Sequence, residues 1–67
     1  MILFAQRLRS RRKAMGFTQL WMAEQLSVDR TTYNKYEAGN VSPSFESLCR
    51  IADLLECSTD WLLGREE

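Results

Sequence analysis

Every residue of this chain that breaks regular backbone falls between amphipathic stretches, and none falls inside one. Gly16, Gly39 and Gly64 each close a periodic segment, and the single proline, Pro43, sits in the polar run Asn40-Val41-Ser42-Pro43-Ser44. Glycine in such places supplies the left-handed backbone that ends a helix without a Cβ clash. No stretch alternates apolar and polar residues long enough to argue for a strand. At 67 residues, a chain buries only about 60% of its unfolded surface, so the core must come from close helix packing. The expectation is an all-α fold, a compact five-helix bundle forming a single domain over residues 1–67.

The first helix is expected over about residues 3–15, with Phe4, Leu8, Arg12 and Met15 on one stripe. Thr18 offers an N-cap oxygen to a second helix of about residues 19–26, with Met22, Ala23 and Leu26 inward. Ser27-Val28 then turns into Asp29, another N-cap, and a third helix follows over about residues 30–38. At about 100° per residue, Tyr33 and Tyr36 share one side of it. Arg30, Thr31, Asn34 and Lys35 occupy a contiguous arc of about 140° on the other. Ser44 starts a fourth helix, about 45–56, that buries Phe45, Leu48, Ile51, Ala52 and Leu55. Ser58 starts a fifth, about 59–64, contributing Trp61 and Leu62.

There is no histidine, which removes zinc fingers, imidazole bases and Ser-His-Asp triads together. Cys49 and Cys57 lack C-x-x-C spacing and read as small hydrophobic filler. Reduced thiols fit a cytosolic compartment. No apolar run approaches the ~20 residues of a membrane span, and Met1-Ile2-Leu3-Phe4 followed at once by arginines is not a signal-peptide layout. Carboxylates and serines are placed as caps and surface charges, with no phosphate-cradling glycine loop, so an enzyme is not expected. No cofactor, metal or small-molecule ligand is implied.

The net charge of zero conceals a polarity. Residues 1–35 carry seven basic side chains against two acidic ones, a net +5, and residues 36–67 carry the reverse, a net −5. Such segregation offers one face to a polyanion, although a solvated basic helix gives the same count. Two short helices joined by a tight turn, the second with a polar outer arc, form the pattern of a helix-turn-helix. In that arrangement the second helix enters the DNA major groove.

The runs Gly16-Phe17-Thr18-Gln19, Met22-Ala23-Glu24-Gln25-Leu26 and Thr31-Thr32-Tyr33-Asn34-Lys35-Tyr36-Glu37-Ala38-Gly39 resemble the phage repressor/Cro-type helix-turn-helix family. Pro43-Ser44-Phe45-Glu46-Ser47-Leu48, Ile51-Ala52-Asp53-Leu54-Leu55 and Asp60-Trp61-Leu62-Leu63-Gly64 continue the likeness, which covers about residues 4–64. The resemblance implies a lambda-repressor-like DNA-binding domain of a bacterial or phage transcription regulator, binding operator DNA as a homodimer in the bacterial cytoplasm. Position by position, it implies base contacts by Arg30, Thr31, Asn34 and Lys35. Arg and Lys suit guanine, Asn suits adenine and the Thr methyl suits thymine. It implies phosphate contacts by Thr18, Gln19, Asn40, Ser42 and Ser44, and an ion pair between Arg12 and Glu37. About five to six cationic contacts per protomer are expected, with half-sites ~34 Å apart. Tyr33 and Tyr36 match inward positions, with a hydroxyl able to reach a phosphate from the rim.

The chain departs from the family pattern at a few places. Leu20 and Trp21 stand where polar residues are common, so Trp21 is expected either to meet a loop or protein partner or to fold onto its own domain. Ser27 and Glu56 stand where glycine is frequent, which points to backbone strain that is tolerated or absent. Arg11 replaces an aliphatic residue, its stem packed and its guanidinium in water. A dimer or partner surface is expected from Leu20, Trp21, Trp61 and Leu63, with the dimer weak until DNA assembles it. The competing function is an antitoxin or anti-repressor type protein-interaction module using that same surface.

Overall fold

The computed structural model describes residues 2–66, which form five helices: α1 (Ile2–Ala14), α2 (Gln19–Leu26), α3 (Arg30–Ala38), α4 (Phe45–Leu54) and α5 (Thr59–Leu62). The last four begin on a polar cap. Thr18, Asp29, Ser44 and Ser58 each accept a hydrogen bond from the backbone N–H three residues on, satisfying a donor that has no partner within the helix. All five end the same way. Gly16, Ser27, Gly39, Glu56 and Gly64 take φ between 53° and 80°. The following N–H reaches back across the last turn in each case, as from Val28 to Ala23 O at 3.0 Å and from Cys57 to Ala52 O at 3.0 Å. This is the Schellman termination. Ser27 and Glu56 therefore adopt the glycine conformation with a side chain attached, at a cost of about 1–2 kcal/mol each. At Gly64 an added Cβ would also press on the end of the half-exposed Leu3 side chain, which would have to swing aside.

Leu8, Met22, Tyr33, Ile51, Leu55 and Leu62 are fully buried and come from all five helices or their immediate ends. α3 lies against α1 and α2, while α5 packs on α1 and α4. Ala23 is buried at 1% exposure, in keeping with a close α2–α3 crossing.

Two expectations for α4 are corrected. The helix stops at Leu54 rather than near residue 56, because Leu55 and Glu56 form the termination just described. Phe45 is not buried but 89% exposed. Leu48, Ile51, Ala52 and Leu55 face the core, and Phe45, in the first turn, lies at the edge of that arc. There it borders an apolar groove with Phe4, Pro43, Leu48 and Leu63. Cys57 packs against the core and burial pushes its thiol pKa up. Cys49 is exposed, so it is not core filler.

Candidate nucleic-acid interface

The two flanks of α3 differ completely. On the inner flank Tyr33 is fully buried, its ring meeting Tyr36 edge-on at 5.9 Å. Its hydroxyl donates to Glu37 Oε2 at 2.6 Å, so it is held inside rather than offered at the rim. Glu37 also receives Arg12 in a two-point contact, Nε to Oε2 at 2.6 Å and Nη2 to Oε1 at 3.1 Å. Gln19 adds a fourth donor to Oε1 at 3.1 Å. The Arg12 and Glu37 side chains are only 10% and 3% exposed, and Arg12 Nη1 additionally donates to Phe17 O at 2.8 Å. One carboxylate thus ties α1, α2 and α3 together.

The electrostatics follow from that geometry. Burial opposes ionisation of Glu37, but the hydrogen bonds from Arg12, Tyr33 and Gln19 outweigh it and leave its pKa below the usual carboxylate value. Burial, then the bond to Glu37, pushes the Tyr33 phenol far above its ordinary range. The hydrogen bond to Glu37 raises Arg12 further against its own desolvation. At the α3 N-terminus, the Thr32 N–H holds the Asp29 carboxyl below its ordinary value, which suits a negative cap at the positive end of a helix.

On the outer flank Arg30, Thr31, Asn34 and Lys35 are all exposed. Arg30, Thr31 and Asn34, with Gln19 from α2, line an open concavity of about 330 Å³; Lys35 stands outside it on the same arc. Thr18 and Ser44 are exposed, and their oxygens accept the cap bonds at 3.0 and 3.1 Å, leaving each hydroxyl hydrogen to donate elsewhere. Asn40 and Ser42 are exposed in the loop after α3. Gln19 is half-buried, with its amide nitrogen directed at Glu37 and Asn34.

Much of the basic surplus counted in the first half of the chain is committed inside the molecule. Arg7 donates to the Trp61 and Glu66 carbonyls and lies over the Trp61 ring at 4.9 Å. Arg11 donates to Leu55 O at 2.8 Å and Glu56 O at 3.5 Å, so its guanidinium closes the end of α4 instead of standing in water. From the second half, Arg50 does the same for α2 through Gln25 O at 3.1 Å. Cations at helix C-termini meet carbonyls that lack partners and the negative end of the dipole. Among the described residues, Arg9, Lys13, Arg30 and Lys35 are the basic side chains outside any hydrogen bond or ion pair. The expected five to six cationic contacts per protomer thus fall to about four. These anchoring roles had one sequence signal, an arginine at an ordinarily aliphatic position.

The surface expected to meet partners is dispersed. Leu20 is 53% exposed, while Trp21 stacks on Phe17 at 4.2 Å and folds onto its own domain. Trp61 is half-covered by Arg7, and Leu63 lines the groove beside Phe45. Among the described residues, no helix is long and apolar enough to cross a membrane, and no group of three His, Cys, Asp or Glu could hold a metal ion.

A helix-turn-helix family model matches residues 8–62. The chain belongs to that family. Over 60 residues it is 47% identical to the cryptic phage CTXphi transcriptional repressor RstR of Vibrio cholerae, covering 90% of this chain and 54% of that protein. It is 38% identical over 61 residues to the SPbeta prophage-derived uncharacterized HTH-type transcriptional regulator YonR of Bacillus subtilis, covering 91% and 56%. The chain spans about half the length of these curated relatives. Among solved structures, the P22 c2 repressor in complex with synthetic operator 9T superposes with a TM-score of 0.88 at 27% identity, covering 98% of this chain and all of that one. The likeness to phage repressors of the Cro type thus holds in sequence and in fold, and this helix-turn-helix family is one of transcription regulators, not of enzymes.

Proposed function

We propose that this chain is a sequence-specific, double-stranded-DNA-binding transcriptional regulator without enzymatic activity, a repressor that inserts α3 into the major groove of its operator. The observation that carries the reading is the asymmetry of α3. Its inner flank is fixed by the Glu37 cluster, and its outer arc of Arg30, Thr31, Asn34 and Lys35 is open to an approaching duplex. A rigid helix with an unobstructed polar arc is what base-edge reading requires. Thr18, Asn40, Ser42 and Ser44 are assigned to the flanking phosphates, and the site of action is the bacterial cytoplasm. The repressor assignment draws on the names of RstR and the P22 c2 repressor. The protein-interaction module is not favoured, since those relatives are named for transcription control.

The operator is bound by two copies. Their contact is assigned to the groove holding Phe45 and Leu63, because its lining includes Ser42 and so adjoins the phosphate-facing loop. A selection from random DNA at controlled salt tests the reading. The expected result is a two-fold site with half-sites about 34 Å apart and a salt slope of up to roughly −3.6 per protomer. A flat salt response, or no preferred sequence, overturns it.

A further inference from the structure

The Gln19 amide nitrogen donates one hydrogen to Glu37 Oε1 at 3.1 Å and the other to Asn34 Oδ1 at 3.2 Å. The first of these bonds fixes the polarity of the second. Glu37 is gripped by Arg12, and an ionised carboxylate only accepts, so Gln19 must turn its nitrogen toward it. That nitrogen's remaining N–H faces Asn34, which must answer with its own acceptor, Oδ1. The Asn34 Nδ2, a pure donor, is left on the outer arc, and no other hydrogen bond among the described residues engages the Asn34 side chain. Three contacts in series therefore set, from the buried ion pair outward, which end of an exposed side chain faces the DNA.

An asparagine free to orient itself meets adenine at two points, accepting from N6 and donating to N7. With Oδ1 turned toward Gln19, that two-point match is impaired. We infer that Gln19 is a positioning residue that makes Asn34 a donor toward the major groove, so that Asn34 selects the acceptor edge of guanine over adenine. Arg30, in the same concavity, also carries donors alone, and the two side chains together favour a guanine-bearing step. This inference rests on the DNA-binding reading above and narrows its base preference.

The test uses the full chain and the operator returned by selection. The base pair read by residue 34 is the one whose preference disappears in Asn34→Ala. Affinity is then measured with each of the four base pairs at that position for the wild type, Gln19→Met and Gln19→Lys, each checked for folding by circular dichroism. The wild type should favour guanine over adenine by about tenfold. Gln19→Met, which frees the Asn34 amide to turn, should erase most of that ratio. Gln19→Lys, whose ammonium, like the glutamine nitrogen, can only donate to Asn34, should retain it. The inference is overturned if adenine is preferred in the wild type, if Asn34→Ala alters no position, or if Gln19→Met weakens all four sites equally, as loss of a phosphate contact would. In those cases a well-defined operator leaves the regulator reading standing. If selection returns no preferred sequence, both fall.

Discussion

The arginines of α1 and the cations of α3 are the same chemistry put to opposite uses. Arg7, Arg11 and Arg12 reach carbonyls or a carboxylate on distant segments and hold the bundle together. Arg30 and Lys35 touch nothing in their own chain through hydrogen bonds or ion pairs and are available to a partner. A charge count treats the two groups alike. What separates them is the nearest helix end: α1 runs past the termini of α4 and α5, where carbonyls need donors, whereas Arg30 and Lys35 make no hydrogen bond or ion pair with any carbonyl or carboxylate of the chain. Basic residues thus divide into those that build the platform under α3 and those displayed on that helix.

Breaking that division should have graded effects. The largest is expected from Arg12→Ala, which leaves the Glu37 carboxylate buried without its main partner and should cost about 3–5 kcal/mol in urea unfolding. A loss below about 1 kcal/mol would instead place the pair among exposed ones. The same pair sets the pH response. Because Glu37 is held below its ordinary 4.5 in the folded state, its contribution is complete above that pH and is lost as pH falls through the lower folded value. Tyr33 acts at the other limit. Its folded pKa is raised above 10.0, so stability should decline as pH climbs past 10.0 and the unfolded phenol ionises. Glu37→Gln should flatten the acid limb of a stability–pH curve and weaken, without abolishing, the alkaline limb, because Tyr33 loses the carboxylate that helps raise its pKa but stays buried.

Arg30→Ala should do the reverse of Arg12→Ala, weakening operator binding by about 1–3 kcal/mol while unfolding stability stays within about 0.5 kcal/mol. Equal losses in both measurements would erase the distinction between platform and display. Arg11→Met, by contrast, should lower stability by about 1 kcal/mol with no change in the salt slope of DNA binding. The smallest effect is expected at the turn, where Ser27→Gly should stabilise by less than about 1 kcal/mol, since glycine removes the left-handed penalty but adds chain entropy when unfolded.

Local chemistry was readable from the residues alone. Thr18, Asp29, Ser44 and Ser58 announce helix starts, the three glycines announce stops, and the 100° wheel divides Tyr33 and Tyr36 from the exposed arc. The Arg12–Glu37 pair came through family likeness, because its partners lie 25 residues apart. What escaped the reading depends on where remote helix ends arrive. Nothing near Arg11 in sequence reveals that the Leu55 carbonyl, 44 positions away, will meet its guanidinium. Phe45 looked like core because its neighbours at helical spacing are core, but at the first turn no other element passes over it. Trp21 found Phe17 just across the turn. The contacts of the Gln19 amide nitrogen with Asn34 and Glu37 were not legible either, since they span 15 and 18 positions.

The openness of α3's outer arc bears on how such a chain diversifies. The side chains of Arg30, Thr31 and Lys35 make no hydrogen bond or ion pair within the chain, so under the DNA-binding reading proposed above drift at those three codons would rewrite operator preference at little cost to the fold. Asn34 is less free. It is bonded to Gln19 on α2, and if that bond orients it as inferred above, lineages that acquire new operators are expected to show positions 19 and 34 varying together.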